Sequence, residues 1–390
     1  MEVEILAEQN IKAMIGETFQ ELADALETGQ FGQKTKVAVT VLGSEHGPEE
    51  IIRGAVLSQK QNPDLQVCLI GPENNSGLLT FPAVDFQDQH KKMEELLDAG
   101  SIDACVTMHY SFPIGVSTVG LVVTPVRGKE MFLATTTGTS ATERVEAMVR
   151  NAIYGIIAAK TMGIVEPTLG ILNVDGSRQV ERALNKLAEK GYSFKWVESA
   201  RADGGVVMRG NDLLMATPDV MITDTLTGNL LMKMFSSFQT GGDYEAAGYG
   251  YGPGIGENYK RTVLILSRAS GAPVVANAIK YAGQLANGKV WQVAKAEFDA
   301  VNKAGLSNLF EETKKAAASE APKEIKAPPK EIVTEEIVGI DVMELDDATH
   351  GLWEIGIYAE TGMGCVGPVI LVAEEDHEKA IAELKRAGYC

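Results

Sequence analysis

Residues 36–54 read Lys-Val-Ala-Val-Thr-Val-Leu-Gly-Ser-Glu-His-Gly-Pro-Glu-Glu-Ile-Ile-Arg-Gly, which indicates a buried strand, a glycine turn and the start of a helix. The apolar run Lys36–Leu42 predicts a strand covered on both faces. A helix is predicted over Pro48–Gln61, because proline suits the first helical position and Pro63 ends the helix. This order recurs through most of the chain and predicts an α/β body in three layers, with a mainly parallel sheet between helices.

The other elements of the body follow from the same patterns. Strands are predicted at residues 67–70, 103–108, 120–126, 131–135, 168–174, 193–198, 219–224 and 262–266. Helices are predicted over most of 1–33 and at 90–99, from about 140 to 163, and at 177–190, 230–238, 274–285 and 292–304. Ser140 and Glu143 have the spacing of a capping box. The glycine-rich segment Thr240–Glu257, which contains Tyr249 and Tyr251, is interpreted as a surface lid or contact loop, or alternatively as a flexible tip.

A second, smaller domain is predicted at the C-terminal end. Between Lys314 and Lys330 the composition changes to Lys, Ala, Glu, Ser and Pro, which is typical of a linker. We therefore expect a body over 1–313, a flexible linker over 314–335 and an α+β domain over 336–390. Strands are expected at 337–343 and 369–372, and helices at 346–358 and 375–387. Cys365 lies in a glycine-rich segment, Gly362–Pro368, which we expect to be a loop entering the second strand.

Composition and charge exclude several classes of function. The chain has 390 residues and a formal net charge of −18, which disfavours binding to nucleic-acid phosphates or to an anionic membrane surface. No apolar run approaches the roughly 20 residues of a membrane span. The N-terminus lacks a basic region followed by an apolar one, so no signal peptide is indicated. We expect a cytoplasmic protein.

The four cysteines fall into two groups by their expected roles. Cys68 and Cys105 lie in strand-like runs and are interpreted as core packing. No Cys-x-x-Cys pair and no histidine cluster indicates a metal site. Cys365 and the terminal Cys390 remain as candidates for a chemical role. A nucleophilic Cys365 needs thiolate character and access, but its own loop contains no lysine or arginine, so activation would come from backbone amides or another domain. The alternative is an unreactive cysteine in a glycine loop.

Four turns carry small polar residues where strands meet helices: Gly43–His46, Thr135–Ser140, Thr225–Asn229 and Ser267–Ser270. Hydroxyls, amides and one arginine at such positions suit a phosphate dianion, because helix starts expose unpaired N–H groups. The alternative is that these residues are ordinary helix caps. His46 and His109 are candidate acid–base groups, and the alternative for each is a hydrogen-bonded loop histidine. Asp224 is interpreted as a helix cap.

The order of these turns resembles the phosphate acyltransferases of phospholipid synthesis, within the superfamily that also holds the phosphotransacetylases. The resemblance covers about residues 35–285. It rests on the segments at Gly43–Gly54, Thr137–Glu143, Asp224–Asn229 and Ser270–Asn277. It implies a sheet like that of the isocitrate and isopropylmalate dehydrogenases, and transfer of an acyl group between sulfur and phosphate. The phosphate-binding residues expected from it are Thr136, Thr137, Gly138, Ser140, Gly228, Asn229, Ser267, Arg268 and Ser270, with His46 and Cys365 as catalytic residues.

The added linker and Cys365 domain are similar to those of the alpha subunits of component C in glycine, sarcosine and betaine reductases. This resemblance implies an acetyl thioester on Cys365 that phosphate releases as acetyl phosphate. The implied partners are a ketoacyl-synthase-like beta subunit and the selenoprotein component A, with a homo-oligomer also expected. No cofactor is implied beyond inorganic phosphate as co-substrate.

Two departures and two alternatives remain. The acyltransferases carry a His-Gly-Ser-Ser run where this chain has Ser267-Arg-Ala-Ser270, which is closer to a phosphotransacetylase. The segment beginning at His109 replaces a glycine- and asparagine-rich stretch. The first alternative is a free-standing phosphate acyltransferase that uses acyl-CoA or acyl carrier protein, in which Cys365 has no role. The second is a non-catalytic scaffold subunit.

Overall fold

The computed structural model describes residues 34–201, 204–311, 326–364 and 367–390, together with six helical positions between Gly16 and Leu26. The chain forms one large mixed sheet with helices on both faces, followed by a small antiparallel sheet with two helices. The predicted α/β body and the small C-terminal α+β region are therefore confirmed. The predicted N-terminal helix and most of the predicted linker lie outside the described residues, and the domain boundaries stay predictions.

The strands are numbered in chain order. Those of the body are β1 (Thr35–Thr40), β2 (Leu65–Gly71), β3 (Leu79–Pro82), β4 (Ala104–Thr107), β5 (Val116–Val123), β6 (Glu130–Thr139), β7 (Thr168–Leu172), β8 (Lys195–Trp196), β9 (Val207–Met208), β10 (Val220–Ile222), β11 (Gly252–Ile255) and β12 (Val263–Ile265). Those of the C-terminal domain are β13 (Glu335–Val338), β14 (Ala359–Gly364) and β15 (Gly367–Val372).

The helices are numbered in the same way. Those of the body are α1 (Pro48–Gln61), α2 (Phe86–Asp98), α3 (Arg144–Thr161), α4 (Ser177–Glu189), α5 (Gly210–Met215), α6 (Thr225–Ser237), α7 (Ala272–Asn287) and α8 (Val290–Lys303). Those of the C-terminal domain are α9 (Leu345–Glu354) and α10 (His377–Ala387), with short 3-10 turns at Val342–Glu344 and Glu374–Asp376. No helix in the described ranges is long and apolar enough to cross a membrane.

Alternate side chains of the strands fill two separate cores. Val37 and Val39 of β1 pack in the larger core with α1, α3, α4, α7 and α8. Ala38, which lies between them, packs in the other core with α2, α5 and α6. A strand buried on both faces cannot show polar alternation, which is why the apolar runs in the sequence predicted these strands. Cys68 and Cys105 are fully buried in the second core, as expected, and burial raises the pKa of Cys68 to about 11.

The large sheet consists of two parallel halves that run in opposite directions. The order is β3-β2-β1-β4-β12-β11-β5-β6-β10-β7-β8. The first five strands are parallel to one another, and so are the last four. Between them, β11 and β5 pair antiparallel with each other and with their outer neighbours. The sheet is therefore mainly parallel, as predicted, but its two halves are reversed.

Several sequence expectations are wrong in detail. The segment at 240–257 is not a surface lid, because it supplies β11 to the middle of the sheet and its Tyr251 is only 7% exposed. Helix α6 begins five residues earlier than predicted. The capping box is also wrong, since Glu143 itself caps α3 by accepting from the amides of Val145 and Glu146.

The C-terminal domain has its own core. Its strand order is β13-β15-β14, all antiparallel, and α9 and α10 cover the sheet through Leu345, Leu352 and Leu384. Strand β14 was not predicted, because its sequence Ala-Glu-Thr-Gly-Met-Gly contains two glycines, which are rare in strands, and only one β-branched residue.

Candidate functional site

The site lies where the two halves of the sheet meet end to end. In the first half β12 ends at Ile265, which pairs with Gly252 of β11. In the second half β10 ends at Ile222, which pairs with Ala134 in the middle of the long strand β6. Strand β5 shows that these two strand ends lie at the same height in the sheet. Its Val119 pairs with Ala134 of β6, and a Cβ atom on Gly252 of β11 would touch the carbonyl of Val119. The carboxyl ends of both half-sheets therefore face one cleft, which is where parallel sheets bind ligands.

From the second half, the cleft receives the start of α6 and the middle of β6. The side-chain amide of Asn229 donates to the carbonyl of Thr136 at 3.0 Å. A Cβ atom on Gly228 would lie 1.8 Å from the carbonyl oxygen of Thr135, so only glycine allows α6 to approach β6 this closely. Gly228 therefore has a packing role in addition to the phosphate role predicted for it.

Two of the predicted phosphate-binding hydroxyls are buried in internal hydrogen bonds. Thr136 Oγ1 lies 2.7 Å from Thr118 Oγ1 and donates to the carbonyl of Tyr251 at 2.7 Å. Ser140 Oγ lies 2.7 Å from Ser117 Oγ and also contacts the side chain of Asn151. These bonds tie β5, β6, β11 and α3 together. Thr137 and Gly138, which follow Thr136, are partly exposed and lie nearer to solvent.

From the first half, the cleft receives the loop after β12. Ser270 donates from Oγ to Glu245 Oε2 at 3.0 Å, and the amide of Glu245 donates to the carbonyl of Ala269 at 3.0 Å. Glu245 is 4% exposed, and burial raises its pKa, while hydrogen bonds from Ser267 and Ser270 oppose that rise. This carboxyl was not predicted from sequence, because it lies within the segment interpreted as a lid.

Tyr251 joins the two sides of the cleft. Its hydroxyl interacts with the side chains of Ser267, from the first half, and Asn229, from the second. Burial, together with the nearby carboxyl of Glu245, raises the pKa of Tyr251 to about 12. The phenol is therefore neutral at physiological pH and can donate a hydrogen bond. The sequence alone does not indicate Tyr251 as a site residue.

His46 and Arg268 lie together at the exposed rim of the same cleft. His46 Nε2 lies 3.2 Å from the carbonyl of Ala269, and Arg268 Nε donates to the carbonyl of Gly43 at 3.1 Å. The amide of Glu45 donates to the carbonyl of Arg268 at 2.8 Å. The turns at Gly43–His46 and Ser267–Ser270 thus form one surface. His109 is exposed and lies beside Phe86.

Three helix starts near the cleft are already capped by carboxylates. Glu143 caps α3, and Asp224 caps α6 by accepting from the amide of Thr227 at 3.0 Å, as interpreted from sequence. Glu50 of α1 accepts from the amide of Ala272 at the start of α7 at 2.6 Å. These particular amides are therefore already engaged by carboxylates, and the phosphate-binding residues stay a prediction. The cations at this cleft include Arg268 at the rim and Arg144, whose Nη2 lies 3.1 Å from Asp224 Oδ2.

Cys365 lies outside the described residues. Its neighbours Gly364 and Gly367 pair with each other at the ends of β14 and β15. Pro368, the next residue of β15, lines a cleft of about 310 Å³ between the C-terminal domain and the carboxyl end of β7. The other lining residues are Asn173, Val174, Asp175, Ser177, Arg178, Arg201, Gly204, Gly205, Val207, Arg209, Val338, Gly339, Ile340, Asp341 and Val342.

Arg144 connects this interdomain cleft with the first one. Its Nε donates to the carbonyl of Asp175 at 2.8 Å, and its Nη2 donates to Asp224 Oδ2 at 3.1 Å. Asp175 lines the interdomain cleft, and Asp224 caps the helix that carries Asn229. The Arg144 side chain therefore contacts one residue that lines the interdomain cleft and the residue that caps α6. In the described ranges, no group of three or more His, Cys, Asp or Glu residues is arranged to hold a metal ion.

Comparison with known proteins identifies the relatives of the chain. A family model described as "Fatty acid synthesis protein" matches residues 35–371. The glycine/sarcosine/betaine reductase complex component C subunit alpha of Peptoclostridium acidaminophilum is 60% identical over 383 residues, which are 97% of this chain and 99% of that protein. The phosphate acyltransferase of Thermotoga petrophila is 27% identical over 237 residues, covering 51% of this chain and 67% of that protein.

Solved structures also resemble the chain. A branched-chain phosphotransacylase from Enterococcus faecalis aligns with a TM-score of 0.45 and 15% identity, covering 65% of this chain and 99% of that one.

Proposed function

The chain belongs to the fatty acid synthesis protein family, together with the component C alpha subunit described above, and we propose that it transfers an acetyl group from a thioester on Cys365 to inorganic phosphate. The relatives that are phosphate acyltransferases support acyl transfer as the reaction class. The 60% identity with a component C alpha subunit supports the more specific role.

One observation carries the phosphate part of the proposal. The hydroxyl of Tyr251 interacts with the side chains of Ser267 and Asn229, which come from two turns that the sequence assigns to phosphate. With Thr137 and Gly138 on one side and Arg268 at the rim, the cleft offers hydroxyl, amide and guanidinium donors from several elements. Such donors suit a phosphate dianion. His46, beside Ala269, is the proposed acid–base group.

The reaction balances without any further reagent. A phosphate oxygen attacks the acetyl carbon, and the carbon–sulfur bond of the thioester breaks. The products are acetyl phosphate and the Cys365 thiolate, which then takes up a proton. Negative charge develops on the carbonyl oxygen of the thioester during this attack, so a hydrogen-bond donor to that oxygen stabilises the transition state. One donor of this kind typically contributes about 3–4 kcal/mol to the stabilisation of a transition state.

The experiment is intact-mass measurement of the full chain after thiol exchange with a small acetyl thioester. We expect the mass of one acetyl group at Cys365, which disappears on addition of inorganic phosphate while acetyl phosphate accumulates. Cys365→Ser should abolish both changes. Cys390→Ser serves as the matched control, because Cys390 is an exposed thiol in the same domain. Absence of the adduct, or an adduct stable to phosphate, would overturn the proposal.

A second candidate function is supported by the phosphate acyltransferases among the relatives. The chain would then act on acyl-CoA or acyl carrier protein without Cys365. Under this alternative, Cys365→Ser would retain full phosphorolysis of an added acyl thioester and the wild-type chain would carry no acetyl group. A protein that neither binds phosphate nor becomes acetylated would instead be a scaffold subunit.

The proposed partners follow from the same relationship. They are a ketoacyl-synthase-like beta subunit of component C and the selenoprotein component A, which would supply the two-carbon unit. The check is reconstitution from purified subunits, with acetyl phosphate as the product measured. The same yield with and without the beta subunit would remove that partner from the proposal.

A further inference from the structure

The C-terminal domain caps a helix of the body with one of its own carboxylates. Helix α4 begins after Gly176, which has no side chain with which to cap it. The amide of Gly176 donates instead to Asp341 Oδ2 at 2.9 Å, across 165 residues of sequence. Asp341 is 7% exposed, and its other oxygen accepts from the amide of Met343 at 3.0 Å. A carboxylate at a helix start is favourable for both hydrogen bonding and the helix dipole.

Arg182, in the second turn of α4, makes the other contact. Its Nη1 donates to the carbonyl of Gly388 at 2.8 Å, and its Nη2 forms an ion pair with Glu344. Glu344 is largely buried, and burial raises its pKa although Arg182 opposes that rise. One guanidinium therefore holds two separate parts of the C-terminal domain, the turn before α9 and the end of α10.

These two contacts hold the C-terminal domain against α4, close to the start of β15. Asp341 follows β13 by three residues, and Val338 at the end of β13 pairs with Val369 of β15. The residue before Val369 is Pro368, which lines the interdomain cleft beside Asp175. When Asp341 is fixed to α4, the start of β15 is therefore fixed beside the carboxyl end of β7.

We propose that the C-terminal domain delivers its acyl group from this docked position, and that Asp341 and Arg182 are the positioning residues that maintain it. The expected effect on the rate of acetyl transfer rests on the proposed function, whereas the docking of the C-terminal domain does not. A domain that moved freely on its linker would present its thioester at a lower effective concentration. Loss of either contact should therefore slow internal transfer without altering the body's own site.

The first test measures docking without any activity. Hydrogen exchange at the amide of Gly176, followed by mass spectrometry in the full-length chain, reports its bond to Asp341. Asp341→Ala and Arg182→Ala should each speed that exchange, by roughly tenfold or more. Arg182→Ala/Glu344→Gln should regain part of the protection lost in Arg182→Ala, because the double variant leaves no unpaired buried carboxylate. Unchanged exchange in Asp341→Ala overturns the docking.

The second test separates delivery from chemistry. Single-turnover release of acetyl from Cys365 by phosphate should fall about tenfold or more in Arg182→Ala, as expected for lost effective concentration. Binding of inorganic phosphate to the full chain, measured by isothermal titration calorimetry, should be equal with and without Arg182→Ala, because Arg182 contacts the C-terminal domain. The matched control is Lys186→Ala, which removes an exposed cation one turn further along α4. An equal loss in acetyl release and in phosphate binding, or loss in neither, overturns the positioning role. Wild-type protein that forms no acetyl phosphate refutes the proposed function and leaves the exchange test valid.

Discussion

The hydroxyl of Thr136 donates a 2.7 Å hydrogen bond to the carbonyl of Tyr251, 115 residues further along the chain. The hydroxyl of the same Tyr251 interacts with Ser267 and Asn229. The backbone and the side chain of this tyrosine thus connect β6, the start of α6 and the loop after β12. Tyr251 therefore contacts three of the elements that surround the candidate site.

Tyr251→Phe should weaken phosphate use while leaving the fold intact. The ring stays buried, so only the hydrogen bonds of the hydroxyl are lost, at a cost of about 1 kcal/mol in the free energy of unfolding. We expect the KM for phosphate in acetyl transfer to rise by roughly tenfold, which corresponds to about 1.4 kcal/mol. Tyr281→Phe is the matched control, because the Tyr281 hydroxyl is buried without a hydrogen-bond partner among the described residues. An unchanged KM in Tyr251→Phe would remove that hydroxyl from the site.

Gly228→Ala should destabilise the protein strongly. A methyl group there would lie 1.8 Å from the carbonyl oxygen of Thr135, so α6 must move away from β6. We expect a loss of about 3 kcal/mol or more in the free energy of unfolding, measured by urea denaturation. Gly351→Ala in α9, where the added methyl meets nothing within 4 Å, should be neutral or stabilising. Similar denaturation midpoints for the two variants would contradict the close approach of α6.

Glu245→Gln should change how stability depends on pH. The pKa of Glu245 is raised in the folded protein from its ordinary value of 4.5, so the folded state holds this proton more tightly than the unfolded state does. The contribution of Glu245 to stability is therefore greatest below pH 4.5 and falls as the pH rises toward its folded pKa. Glutamine cannot ionise, so the stability of the variant relative to wild type should increase over that window.

Urea denaturation of wild type and Glu245→Gln from pH 4 to pH 7 measures this difference. Glu49→Gln, at an exposed carboxylate of α1, is the control. If the difference between Glu245→Gln and wild type is the same at every pH, the raised pKa of Glu245 is refuted.

Asp224→Ala and Asp85→Ala should cost similar stability but differ in activity. Asp224 caps α6, and Asp85 caps α2 by accepting from the amides of Gln87 and Asp88. Loss of such a cap costs about 1 kcal/mol. Only Asp224 also binds Arg144 and lies at the start of the helix that carries Asn229. Acetyl transfer should therefore fall in Asp224→Ala alone, and equal activity in the two variants would separate the α6 start from the site.

Elements defined by local chemistry could be predicted from the sequence. Helix α1 spans Pro48–Gln61 as expected, because a proline at its first position and Pro63 just beyond its end are both local signals. The error at Ser140 has an equally specific cause. Its spacing from Glu143 matches a capping box, but its hydroxyl is taken by Ser117 and Asn151, which are distant in sequence.

The candidate site was predicted in its parts but not in its assembly. The four polar turns lie around one cleft, each where a strand meets a helix, as the sequence predicts. Sequence could not show that the two half-sheets are reversed, because this follows from the pairing of β11 with β5 and β12. Tyr251 and Glu245 were missed for the same reason. Their glycine-rich segment has the composition of a loop, and only tertiary pairing makes part of it a central strand.

The strand order of the sheet also bears on how the protein is made. The first half-sheet contains β1 to β4 and then β12, and the chain builds the entire second half before it returns with β11 and β12. During synthesis, β4 therefore has no β12 to pair with until more than 150 further residues have been made, because β12 begins at Val263. Contacts between residues so far apart slow folding. A nascent chain that stops before β12 has a β4 edge without its partner strand, and binding of a chaperone to that edge is the expected protection.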